Sequence, residues 1–367
     1  MSGNGSNYGP TAAREHKRPG REVRPASKTV DMHNHVWSLE AGAYVKSFED
    51  PSTIGMTKIA TDETKALMER QAADRRPLQL DWKLRIIDMD KMGIDIQVLS
   101  PVPRQMYPAL QADVVVKSAL LVNDSLAAMA ANRPDRFAGI GTVPLQEPTA
   151  AVAELERCIT KLGFKGIQVP SNVGGRELSD PAFEPVWKKA EQLGAVVFIH
   201  PSGFTHPQRL VRFYLNNVIG NPLETTIAIH YLIMDGVLER YPNLKVIAAH
   251  GGGFAGAYHG RMDHGWGARP DAHGELPKPP TSYLKKMYFD ALVFTPEQLA
   301  HLIAAYGADH IMIGTDYPAD MGEYDPIAHA AQMPNMDPAT LSAICGGNAI
   351  RVFGLDTKAE AKLAKAG

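Results

Sequence analysis

The chain is poor in cysteine, in net charge and in aromatic side chains. Of 367 residues only two are cysteines, Cys158 and Cys345. Two thiols cannot staple a small secreted fold, and each lies in an apolar, helix-like stretch, so both are expected to be buried and free. The formal net charge is -2. That leaves no basic field for nucleic acid and no acidic tail. No apolar run reads as long enough to span a membrane. Residues 1–26 are rich in Gly, Ser, Pro and basic side chains. Without the apolar stretch of a signal peptide they read as a flexible arm, and the expectation is a cytoplasmic protein.

What the chain does have is a 44% hydrophobic share, enough for a sizeable core. Short apolar runs recur as strand candidates: Thr29–Val36, Ile94–Ser100, Phe137–Val143, Phe164–Pro170, Ala195–His200, Leu244–His250, a weaker Met287–Leu292, and His310–Asp316. Nearly continuous apolar strands suit a parallel sheet covered on both faces. Helical spacing fills the gaps at Leu80–Met92 (apolar at Leu84, Ile87 and Met92), Asp113–Asn132, Thr149–Leu162, Pro181–Leu193 and Pro296–Tyr306. Pro148, Pro181 and Pro296 stand where a helix tolerates proline, and Gly163 and Gly194 where one stops. Eight strands with interleaved helices predict an α/β fold, a (β/α)8 TIM-like barrel, as a single domain over residues 27–367. Residues 40–79 are too long for an ordinary loop and read as an insertion or lid after the first strand.

The stretch Asp31-Met32-His33-Asn34-His35 organises the rest. Alternation along a strand puts His33 and His35 on one face, where two imidazoles can share a cation. Other strands also end in metal-binding or acid–base side chains. His200 closes the fifth, His250 the sixth and Asp316 the eighth. Taken singly, each histidine is more easily a packed core residue. Collected on one rim of a barrel, they read as a site. His33, His35 and His200 would supply neutral nitrogens and Asp316 a carboxylate, leaving a coordination position for water or substrate. His250, followed by Gly251, Gly252 and Gly253, reads as a general acid/base beside a tight turn. Asp290 either touches substrate or orders a loop, and Tyr317 and Phe294 are candidates for the pocket lining. His206, His230, His259, His264 and His273 lie off the strand ends and read as surface or packing residues. Trp82, Trp187 and Trp266 read as helix-core residues.

In order along the chain, DMHNH, FIHP, AAHGGG and GTDYP resemble the amidohydrolase superfamily, in the branch typified by aminocarboxymuconate-semialdehyde decarboxylase. The resemblance runs from Thr29 to Leu355. It includes Ile87-Asp88-Met89-Asp90 with Gly93, Gly163-Phe164-Lys165-Gly166, Glu224-Thr225-Thr226 and Gly347-Asn348-Ala349. It implies one divalent metal, zinc first and manganese second, on His33, His35, His200 and Asp316. It also implies His250 and Asp316 as the catalytic pair, and a homodimer or higher homo-oligomer in which Arg261 reaches a neighbouring site and grips a substrate carboxylate. The implied reaction is non-oxidative decarboxylation of an aromatic or unsaturated, muconate-like acid. Metal-assisted hydrolysis or hydration of a lactone, amide or unsaturated diacid is the alternative, and a non-catalytic metal-binding scaffold a third reading. The proton donor stays open among a metal-linked water, His250 and Asp316. The chain also departs from the branch. A second substrate arginine, expected upstream of Trp82, has no clean counterpart: alignment puts Ala73 there, with Arg75 and Arg76 nearby. Ser202-Gly203-Phe204 and Ala319 stand where bulkier aromatics are expected, so the substrate is expected to differ from the type enzyme's.

Overall fold

The computed structural model describes residues 22–49 and 59–355. The expected N-terminal arm lies largely outside these residues, as do positions 50–58 of the insertion. The first strand, Val30–Val36, is flanked by the second, Ile96–Pro101, which pairs in turn with Phe137–Gly139. The chain steps through Ile140 into Gly141–Thr142, so the third strand is one position in the barrel but two ladders. Gly166–Pro170, Val196–His200, Lys245–Ala248, Tyr288–Asp290 and Ile311–Met312 follow, every pairing parallel. Closure comes from backbone bonds between the two ends of the sheet. Met32 donates to Ile313 at 3.1 Å, His35 to Tyr317 at 2.7 Å and Thr315 to His33 at 3.1 Å. The expected eight-stranded barrel is present.

A bulge in the first strand sets up the site. Its register against the second strand runs Val30 to Ile96 and Asp31 to Gln97, then slips so that Asn34 pairs with Leu99. One extra residue on a strand reverses which face the following side chains take. Val30 and Met32 therefore pack with Ile96, Val98, Phe198 and Ile247 in the barrel interior, while His33, which regular alternation would turn outward, meets the Phe198 ring at 4.9 Å. The lower strand fills the barrel with apolar atoms, and the upper strand delivers imidazoles. Gly314 permits the close approach of the eighth strand, since a Cβ there would lie 2.6 Å from that of His33.

Helices at Trp82–Met92, Ala112–Ala131, Pro148–Thr160, Glu184–Leu193 and Pro296–Tyr306 appear where the spacing places them, with Pro148 and Pro296 in first turns and Gly194 as a left-handed C-cap. Asn221–Met234 is a further helix, between the fifth and sixth strands, that was not anticipated. An antiparallel pair, Asn172–Val173 with Arg176–Glu177, was not anticipated either. Both cysteines are buried and free, as expected.

Two sequence expectations are corrected. In Trp82–Met92 the apolar Leu84 and Ile87 face out, whereas Arg85, Asp88, Met89 and Met92 are buried. The inward face of this helix is mixed: Met89 and Met92 join the hydrophobic core, while Arg85 and Asp88 serve a polar network. Ala112–Ala131 is also long and apolar enough, by length and composition, to cross a membrane. Here it is a barrel helix: Val114, Val115, Val122 and Leu126 are buried, and Asn123 donates to the carbonyl of Thr142 at 2.8 Å. The insertion is mainly helical where described, as Leu39–Val45 and Asp62–Leu80.

Candidate metal centre

At the C-terminal mouth of the barrel, His33, His35, His200 and Asp316 bring one ligand atom each within 4.8 Å of all the others. Each imidazole is fixed through its Nδ1. That of His33 meets Asp290 Oδ2 at 2.7 Å, that of His35 the Pro101 carbonyl at 3.1 Å, and that of His200 the Pro201 carbonyl at 2.7 Å. These partners accept, so they select the Nδ1–H tautomer and leave each Nε2 with a lone pair. The lone pairs then face each other. His33 and His35 Nε2 are 3.3 Å apart, and Asp316 Oδ1 lies 3.0 Å from the second and 3.5 Å from the first. Buried His200 Nε2 has no hydrogen-bond partner among the described residues. Ligands on a cation with bonds of about 2.1 Å sit roughly 3.0–3.4 Å from one another. The arrangement fits a divalent metal ion, and without one it would crowd unsatisfied acceptors together.

The protonation tendencies agree with that state. Burial, followed by the neighbouring His33, His35 and His250, pushes His200 well below the usual imidazole range. Burial also lowers His35. For Asp316 burial acts upward, but His250, His33 and His35 outweigh it and hold the carboxyl well below its ordinary value. His33 moves the other way. Burial would lower it, yet the Asp290 carboxylate on Nδ1 raises it, the behaviour of a ring held by a carboxylate behind the ligand atom.

A second layer holds these groups in place, and much of it escaped sequence reading. Asp290 is fully buried and accepts from the backbone N–H groups of His250, Gly251 and Leu292 at 2.9, 2.8 and 3.2 Å, besides holding His33. It orders the loop after the sixth strand and orients a ligand at the same time. Asp31 accepts from His33 N, Gln97 Nε2, Thr315 N and Thr315 Oγ1. Burial nevertheless pushes its carboxyl up to about 6. Arg85, with no exposed surface, donates to Asn34 Oδ1, Gln97 Oε1 and the His35 carbonyl, clamping the first strand from behind. Asp31 lies in the DMHNH motif but carries no role of its own there, and no run or spacing marks Arg85 or Gln97 as belonging to a site. Glu224, in the resemblance motif, accepts from Thr205 N at 2.9 Å and ties down the loop after His200.

His250 stands beside the ligand set, with Nε2 3.8 Å from Asp316 Oδ2. His250 and Asp316 both carry left-handed backbone, φ 56° and 54°, costly for side chains with a Cβ and found where neighbouring structure enforces it. A cavity of about 240 Å³ opens above them, lined by His35, His200, His250 and Asp316 at its floor. Its walls include Arg75 and Met68 of the Asp62–Leu80 helix, Arg104, Tyr214, Ala319 and Asp320. The insertion thus does form part of the site's cover. Tyr317 lies beneath instead, its hydroxyl donating to Asp88 at 3.0 Å, and Phe294 is exposed and outside the lining. Arg261 is exposed on the Gly260–Ala268 helix and does not line this cavity; it borders another groove with Phe254, Tyr258 and Trp266.

The amidohydrolase family model matches residues 30–355. The 2-amino-3-carboxymuconate-6-semialdehyde decarboxylase of Dictyostelium discoideum is 38% identical over 277 residues, 75% of this chain and 77% of that one. The gamma-resorcylate decarboxylase of Rhodococcus jostii is 29% identical, over 75% and 88%. A 2-keto-4-carboxy-3-hexenedioate hydratase of a Sphingobium species is 28% identical, over 76% and 84%. Among solved structures, 5-carboxyvanillate decarboxylase from Sphingomonas paucimobilis superposes with TM-score 0.77 at 25% identity, covering 90% of this chain and 100% of its own. The 5-carboxyvanillate decarboxylase of Novosphingobium aromaticivorans, complexed with manganese and 4-hydroxy-3-methoxy-5-nitrobenzoic acid, superposes at 0.76 and 25%, covering 90% and 97%.

Proposed function

The chain belongs to the amidohydrolase family, and from that premise we propose that it is a metal-dependent, non-oxidative decarboxylase of an aromatic or unsaturated carboxylic acid. The observation that carries the reading is the convergence of His33, His35, His200 and Asp316 on one point beside His250, in a chain whose relatives include decarboxylases of such acids. A divalent ion held by those four residues supplies charge stabilisation for substrate oxygens and orients the acid. The donor set suits zinc and accepts manganese. Zinc is our first assignment, and metal analysis of purified protein decides between them.

The rest of the chemistry falls to the chain's own groups. His250 and Asp316, facing each other at the cavity floor, hold the proton that goes to the carbon bearing the carboxylate. As that C–H bond forms, the C–C bond breaks and its electron pair returns to the ring or alkene, releasing carbon dioxide. Arg261 is exposed and does not line its own cavity. We assign it to a substrate carboxylate in the site of a second copy, where a guanidinium fork binds two oxygens at once.

The test is carbon dioxide release from a panel of hydroxybenzoates and muconate-type acids by metal-loaded protein. Release that stops with chelator and returns with added metal supports the reading. The hydratase relative favours one other reading on the same scaffold. Products heavier by one water, with no carbon dioxide, would establish that one instead.

A further inference from the structure

One helical run borders the cavity beside His200 and the loop that follows it. Tyr214, Asn217 and Asn221 all line the cavity. They are spaced three and four residues apart where the π-helical turn Asn216–Gly220 leads straight into the helix Asn221–Met234. The same run ties down the loop after the fifth strand. Gly203 N donates to Asn221 Oδ1 at 3.0 Å, Phe204 N to Asn216 Oδ1 at 3.1 Å and Thr205 N to Glu224 Oε2 at 2.9 Å. The approach is close, since a Cβ on Gly220 would lie 2.9 Å from that of Phe204. A carboxamide can present either end, and one bond decides which. With Oδ1 taken by a backbone N–H, the Asn221 amide has Nδ2 as its other end, and that NH2 meets no acceptor among the described residues. The other wall carboxamides differ. Asn217 bonds to the Tyr214 phenol. Gln79 lines the cavity, but no bond among the described residues orients its amide, so it can turn whichever end a ligand requires.

From this geometry we infer that Asn221 is a specificity-determining residue: its fixed Nδ2 donates to a neutral oxygen acceptor on the substrate, a carbonyl, alkoxy or hydroxyl oxygen carried on the side of the cavity where His200 and its loop stand. This rests on the decarboxylase reading of the site and narrows its substrate class to oxygen-substituted acids. Carboxylates are provided for elsewhere, by the cation at the floor and by Arg261 from a second copy, so Asn221 reads the neutral part of the molecule. The discrimination has one direction. An oxygen acceptor satisfies the amide much as water does. An alkyl group of the same shape covers it and leaves a fixed donor unpaired, which costs more than a contact never made. A freely turning amide would escape that cost. Asn221 is held by its helix and by its Oδ1 at once.

The experiment measures binding, not turnover, so that it can fail separately from the proposed reaction. Metal-loaded full-length protein is titrated calorimetrically with 2-hydroxybenzoates carrying, at ring position 3, 4 or 5, either an acetyl group or the isopropenyl group of the same shape. The ratio of the two affinities isolates the carbonyl oxygen from everything the acids share. Asn221→Leu, which removes the donor, should lower the acetyl-to-isopropenyl ratio about five- to tenfold at the position that meets Nδ2. Asn221→Asp keeps an oxygen for the Gly203 N–H and puts an acceptor where the donor stood, so it should lower the ratio further. A loop that had merely loosened would weaken both acids alike and leave the ratio where it was. Ratios within about twofold of wild type at every position in both variants overturn the inference. An acetyl ratio that depends on Asn221 in a protein releasing no carbon dioxide would sink the decarboxylase reading alone. If none of the acids binds, both fall.

Discussion

The floor of the cavity and its wall are built by opposite rules. On the floor each ligand histidine is held from behind, by Asp290 for His33 and by backbone carbonyls for His35 and His200, with Asp31 and Arg85 bracing the first strand. On the wall, polar side chains meet in ion pairs that keep some exposure, Arg75 with Asp320 and Arg104 with Glu49. Buried groups held by several partners have one geometry and lose it when a partner is removed. Part-exposed pairs contribute little to stability and can be exchanged. The first region holds the proposed metal site, and the second borders the cavity above it.

That contrast breaks most visibly at His250. His250→Asn should cost about 10²–10⁴-fold in turnover while metal content stays at the wild-type level. Loss of metal from a folded variant would move His250 into the ligand set and redraw the floor. Next comes the support layer. Asp290→Ala removes the partner of His33 Nδ1 and the acceptor for three backbone N–H groups. Metal affinity, read by competition with a chelator, should fall by about 10–100-fold. An unchanged affinity would show that the ligands need no such brace.

Arg261→Ala should raise KM for an acidic substrate by about tenfold with little change in kcat, and mixing it with a site-defective chain should restore activity if the arginine crosses between copies. Normal activity in a monomer would remove Arg261 from the account. The smallest effect is expected on the wall. Arg104→Gln, at a pair nearly half exposed on the arginine side, should leave metal affinity and melting within about twofold and one or two degrees of wild type. A large loss of metal there would erase the distinction between the two regions.

The same division explains what the sequence could reveal. His200, His250 and Asp316 were readable because they terminate apolar runs, and strand ends are where a barrel displays its side chains. His33 and His35 were correctly grouped, but the bulge that aims them is invisible: regular alternation would have sent His33 and Met32 to opposite faces, and both point inward. Arg85 and Asp88 looked like the polar side of a helix whose oily side was Leu84 and Ile87. Only the tertiary demand for a clamp on the first strand reverses that face. Asn221–Met234 went unread although Pro222 marks its start, since Glu224, Thr225 and Thr226 break its apolar periodicity. Arg75 and Asp320 are far apart in sequence, and nothing local announces a pair.

We propose that one cation at the barrel mouth, held by His33, His35, His200 and Asp316, works with His250 to remove a carboxylate. It is tested most directly by counting metal per chain while following carbon dioxide release from hydroxybenzoic acids. We expect activity to rise in proportion to occupancy and to saturate at one equivalent. Undiminished release from protein stripped of divalent ions would contradict it.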